Sequence, residues 1–104
     1  MKKVILFFVL FLSFCSVFGQ VNLNNTTTVY TQNFNTLNVR NTSSVVPLGW
    51  SILETGANAN TLITANTGAS TTGDTYSYGT GTNTERALGM LGSATLNSQI
   101  GISF

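Results

Sequence analysis

The chain opens on a solid apolar block, Val4 to Phe18, after which hydrophobic residues come only in short alternating bursts. Thr28 to Phe34 (TVYTQNF) places Thr28, Tyr30, Gln32 and Phe34 on one face of a strand, because strand side chains alternate between faces. Gly49 to Glu54 (GWSILE) reads as a second strand with Trp50 and Ile52 on one face, and Thr61 to Ala65 (TLITA) as a short third. Asp74 to Gly79 and Thr84 to Leu91 form the arms of a predicted hairpin. Gln99 to Phe104 (QIGISF) puts Ile100, Ile102 and Phe104 on one face. The stretches between are loops at 35–47 and 92–98 and turns at 55–60 and 66–73. They are rich in Gly, Asn, Thr and Ser, the residues that favour turns. No 3.6-residue apolar period follows the opening block, so the pattern predicts an all-β fold, an antiparallel, jelly-roll-like β-sandwich over 28–104. The polar segment 20–27 reads as a flexible lead-in.

The pattern is still alternating when it reaches Phe104, so we expect an incomplete sandwich belonging to a larger domain. An open strand edge is a template for further pairing. Here it is expected to meet missing strands or another copy of the chain, and a further alternative is that half a sandwich on its own barely folds.

The opening block changes the picture of what is mature protein. Lys2 and Lys3 precede it, and small residues follow at Ser16 and Gly19. That is the layout of a signal peptide cleaved after Gly19, since the apolar run falls short of the roughly 20 residues needed to span a bilayer. Phe14 ahead of Cys15 is too bulky for a lipid-attachment box, so no stable membrane anchor is expected. The protein is predicted to be secreted or displayed at the cell surface.

Loss of residues 1–19 removes five of the seven phenylalanines, both lysines and the lone cysteine. Two arginines then stand against three carboxylates, a net charge of −1. Without cysteine, no disulfide can staple the domain. Without clustered Lys and Arg, a nucleic-acid surface is disfavoured. The absence of histidine, lysine and a mature thiol removes the usual acids, bases and nucleophiles. The chain is therefore read as non-enzymatic.

The remaining chemistry concentrates in GDTYSYGTGTNTERALG (73–89), which holds Asp74, Tyr76, Tyr78, Glu85 and Arg86. With a turn centred on Gly81, Tyr76 would face Arg86, and Arg86 would also reach diagonally to Asp74. Such cross-strand contacts are worth roughly 0.5–1 kcal/mol each. The leading reading is structural, a charged and aromatic cluster that fixes the hairpin. Two ligand readings stand beside it. Asp74 and Glu85 with Asn or backbone oxygens suggest a Ca²⁺ site, although calcium takes about 6–8 oxygens. The Tyr rings with Asn and Thr suggest a polysaccharide contact. Trp50, the only tryptophan, is a core anchor or a sugar-stacking platform. Apart from that Ca²⁺ ion, no cofactor is expected.

The segments YTQNFNTL (30–37), VPLGW (46–50), ETGANANT (54–61), TGDTYSYGTGTNTERALGML (72–91) and IGISF (100–104) together resemble an N-terminal β-sandwich module. That module occurs in large secreted proteins of Bacteroidetes-type bacteria. The resemblance implies roughly twice this length, with further strands after IGISF. It also implies downstream lamin-tail-like, immunoglobulin-like, nuclease or type IX sorting domains, and it carries no catalytic residues onto this chain. The expected function is a secreted accessory or adhesive module. The alternatives are a carbohydrate-binding module and an N-terminal fragment of a secreted nuclease or other hydrolase.

Overall fold

The computed structural model of the protein describes residues 19–24 and 29–104. The expected signal helix lies outside the described residues. Among those described, the chain is all-β, with six strands in two sheets and no helix. The strands are β1 (Thr42–Ser43), β2 (Trp50–Thr55), β3 (Ile63–Asn66), β4 (Asp74–Tyr78), β5 (Ala87–Leu91) and β6 (Asn97–Ile102). One sheet has the order β1-β3-β4-β5, and β2 and β6 form the other.

Five of these strands fall where alternation placed them. The first burst does not become a strand: 29–34 has no ladder partner among the described residues, and Phe34 takes φ +57°. Alternation marks which side chains are buried, and here Tyr30 and Phe34 cap the end of the β2–β6 pair instead. Trp50 Nε1 donates to the Tyr30 hydroxyl at 2.7 Å. Phe34 meets the Trp50 ring edge-on at 4.7 Å, and Tyr30 meets Phe104 edge-on at 6.2 Å. In turn, β1 arises inside the expected 35–47 loop, and Asn97 and Ser98, expected in a loop, begin β6.

The pairing is antiparallel throughout except between β3 and β4, which run parallel from Ile63↔Thr75 to Asn66↔Tyr78. Parallel neighbours usually need a crossover of about a dozen residues or more, yet here 67–73 suffices. The side chains around that connection explain how. Asn66 Oδ1 accepts the Gly68 N–H at 2.6 Å, turning the chain sharply after β3. The Tyr76 hydroxyl donates to Thr72 O at 2.7 Å and lies 2.9 Å from Ser70 Oγ. The connection therefore folds back over Tyr76, which is only 2% exposed.

The apolar core is sparse: Leu37, Ile63, Tyr76 and Leu96 are the buried hydrophobic residues among those described. Each contributes about 1.5–3 kcal/mol, and polar groups occupy the rest of the interior. Glu54, Thr75, Ser77, Arg86 and Ser98 are all buried. Thr75 and Ser77 alternate with Tyr76 along β4 and are fully enclosed on the opposite face. A polar interior stays stable only when its groups are paired, so the hydrogen bonds of these residues decide how the sheets are held.

Candidate functional site

The β4–β5 hairpin has a different register from the one expected. Tyr76 pairs with Gly89 and Tyr78 with Ala87, so the next position outward sets Gly79 opposite Arg86. This odd-numbered shift sends Arg86 to the face of Ser77, away from the Tyr76 ring. The physical cause is steric and polar together. Gly79 leaves room for the guanidinium, since a Cβ there would stand 2.5 Å from Nη1. Ser77 supplies both acceptors: its Oγ takes Nε–H at 2.9 Å, and its carbonyl takes Nη2–H in a short bond. Arg86 ends 4% exposed, and its Nη1 has no partner among the described residues.

Ser77 passes this contact inward. Its hydroxyl donates to Asn38 O at 2.7 Å. The Asn38 amide donates to Asn41 O at 2.9 Å and to Ile63 O at 3.2 Å. The 38–41 loop is thereby strapped across β3 and β4. It forms one wall of a cavity of about 430 Å³, which is closed by residues 65–67 at the end of β3, the Gly79–Gly81 turn and Arg86. Arg40 lines the same space. The only two cations outside Lys2 and Lys3 therefore share one cavity.

Glu54 is the second buried charge, 5% exposed. On β2 it has the same parity as Trp50 and Ile52, so the inward face of that strand carries it into the interior. Its Oε1 accepts the Thr75 hydroxyl at 2.7 Å, and Oε2 accepts the backbone N–H of Asn60 and of Thr61, each at 2.9 Å. The 56–61 turn is pinned to deliver those N–H groups. Gly56 has φ +113°, and a Cβ there would meet Thr95 O at 2.4 Å. Asn58 N donates to the same carbonyl at 3.1 Å. Burial works to raise the Glu54 pKa, but the Thr75 hydroxyl and the backbone donors of Asn60, Thr61 and Thr75 more than offset it. The carboxyl is held below its ordinary value. The Glu54–Thr75 bond also joins the two sheets, since β2 and β4 belong to different ones.

The other expected residues scatter. Asp74 Oδ2 accepts the Thr64 hydroxyl at 2.6 Å and Oδ1 accepts the Thr75 N–H at 2.8 Å. Glu85 is exposed just before β5, at the far end of the hairpin from Asp74. The two carboxylates of the Ca²⁺ reading are not brought together, and no group of three His, Cys, Asp or Glu residues gathers among the described residues. Tyr78 packs against Tyr76 with ring centroids 5.2 Å apart and planes tilted by 38°. Burial, then the neighbouring Tyr76 and Asp74, push the Tyr78 phenol above its ordinary value. With Tyr76 enclosed, the pair presents no open two-ring platform for a sugar.

Trp50 stands apart from the hairpin, in the other sheet, beside a cleft of about 520 Å³ formed with the 46–49 turn and Ser103. Sequence reasoning missed Glu54, Ser77 and Arg40 as site residues. The parity of Glu54 with Trp50 and Ile52 was a usable signal for the first, while Ser77 carried none. Comparison with protein-family models, curated proteins and solved structures returned no match.

Proposed function

We propose that the chain is a secreted or cell-surface, non-catalytic module that serves as an accessory or adhesive part of an extracellular assembly. The observation that carries this reading is the use made of the charged hairpin. Asp74, Tyr76 and Arg86 each hydrogen-bond to residues of their own sheet or its connections. These bonds help to hold a fold with a small apolar core, with one Arg86 nitrogen left over. The apolar block behind Lys2 and Lys3 supports export, and the resemblance to Bacteroidetes-type modules is consistent with it. Expression of the full chain in a secretion-competent bacterium tests the export half of this reading. A product outside the cytoplasm beginning at Gln20 by intact mass is expected. Cytoplasmic protein that retains residues 1–19 would sink it.

A second reading, carbohydrate binding, now rests on Trp50 alone. The half-buried indole lines the 520 Å³ cleft, within the size range of small-ligand sites; Gly19 also lines it, so cleavage after Gly19 would open it further. A glycan screen comparing the parent with Trp50→Ala checks it. No hit for the parent, or equal hits for both proteins, would remove it.

A further inference from the structure

We propose that the cavity between Arg40 and Arg86 is an oxyanion-binding site, one that takes a sulfate, phosphate or carboxylate group. Three observations converge on it, and none depends on the extracellular reading above.

The first is an unmet charge. Arginine stays protonated in proteins and carries five donors. Arg86 is nearly enclosed, yet among the described residues its only acceptors are the two oxygens of Ser77, and Nη1 has none. None of the three carboxylates answers it: Glu54 and Asp74 bond elsewhere, and Glu85 is exposed to solvent. A buried cation without a counter-charge is costly, and an anion at its side removes that cost.

The second is the composition of the walls. Arg40 joins Arg86 around the cavity, with Asn41 and Thr67 as further polar lining, and no acidic residue lines it. In a chain of so few charges, two cations on one space make it the most electropositive place in the described structure.

The third is shape. At about 430 Å³ the cavity suits a small molecule or a sugar bearing one anionic group. Nη1 lies beneath Gly79, whose missing Cβ leaves the space beside it open, and Gly79, Gly81 and Arg86 line the cavity together. Charge-assisted bonds from guanidinium to an oxyanion are the strong class of hydrogen bond. Arg40, exposed at the rim, would close on the same group from outside.

Melting of the purified full chain, followed by circular dichroism, tests the assignment. Sulfate, phosphate and acetate are each titrated against chloride at matched ionic strength. A ligand that binds the native state raises Tm along a saturating curve, whereas general salting-out by sulfate rises without saturation. The expected result is a saturating rise for the parent. Arg40→Ala should melt as the parent does in chloride and need about tenfold more oxyanion. Arg86→Met should lose the saturating response. A rise that never saturates, or one unchanged in Arg40→Ala, would overturn the proposal whether or not Arg86→Met folds. Galactose 6-sulfate and galactose identify the source. Tighter binding of the sulfated sugar than of inorganic sulfate assigns a saccharide-borne group, and equal binding assigns the free ion. A response to neutral galactose equal to that of its sulfate would refute an oxyanion site.

Discussion

Two buried charges, both anchored to the inward face of β4, are treated in opposite ways. Glu54 reaches Thr75 and fills both carboxylate oxygens. Arg86 reaches Ser77, two positions along, and leaves one nitrogen without a partner. The difference follows from what each needs. A carboxylate needs donors, and a turn offers backbone N–H groups that no ladder has claimed, as Asn60 and Thr61 do. A guanidinium needs acceptors, and along a paired strand most carbonyls are already engaged. The buried acid is therefore satisfied by its own neighbourhood and closes the sandwich, while the buried base has capacity left over.

The largest effect is expected from breaking the satisfied side. Glu54→Ala strands the Asn60 and Thr61 N–H groups and the Thr75 hydroxyl and cuts the bond between the sheets. Each such charge-assisted bond is worth roughly 1.5–3 kcal/mol, with partial recovery by water. We expect a loss of about 3–5 kcal/mol in urea unfolding, enough to unfold a marginal domain. Glu54→Gln keeps an acceptor but offers an amide to donors, and should lose about half as much. The same carboxyl sets a pH dependence. Its folded pKa lies below the ordinary 4.5, so the unfolded chain takes up the proton first. Its contribution is therefore full above that value and fades as pH falls through the lowered one. Acid titration of stability should show a decline below about pH 4.5 in the parent. Glu54→Gln should be flatter over the same range, and equal slopes would mean that Glu54 does not carry the linkage.

How these two sites stood in the sequence is instructive. Strand positions for β2 to β6 followed from alternation and turn residues, and the inward face of β2 could be read through to Glu54. Other features could not be read. The parallel β3–β4 pairing depends on a short connection held by Asn66 and Tyr76, which no periodicity reveals. The segment 29–34 alternates like a strand but finds no edge. The hairpin register turned on Gly79, whose missing Cβ admits the Arg86 guanidinium; by pattern alone, a turn centred on Gly81 was equally reasonable. Register decides the site, since a shift by an odd number of residues carries every side chain to the other face. The Arg40–Arg86 pairing was invisible for the same reason: it exists only after the 38–41 loop has been tied down through Ser77 and Asn38.

On the unsatisfied side, effects should be smaller. Ser77→Ala removes the only hydroxyl joining Arg86 to the 38–41 loop, and a cost of about 2–3 kcal/mol is expected from the two bonds lost in a buried setting. Gly79→Ala places a Cβ 2.5 Å from Nη1 and 2.8 Å from the Glu85 carbonyl. Backbone at one side and a packed guanidinium at the other leave little room, so about 1–3 kcal/mol of overpacking is expected. Chemical denaturation of both variants checks the order, with Ser77→Ala the less stable.

The smallest expected effect is also the sharpest test of the contrast. Arg86→Met replaces a buried charge that lacks a counter-ion by an apolar side chain of similar length. It forfeits the bonds to Ser77, but Ser77 Oγ keeps Asn38 O as acceptor for its own proton. Removing the desolvation cost of the cation works in the other direction. In chloride the two should nearly cancel, leaving stability within about 1 kcal/mol of the parent, although Glu54→Gln is a milder chemical change. The thioether is also more pliable than a planar guanidinium. Gly79→Ala should therefore cost less in the Arg86→Met background, giving a coupling of about 1 kcal/mol in the double-mutant cycle. An Arg86→Met variant as damaged as Glu54→Ala would show that the guanidinium is fully satisfied in solution, and the asymmetry between the two charges would fall with it.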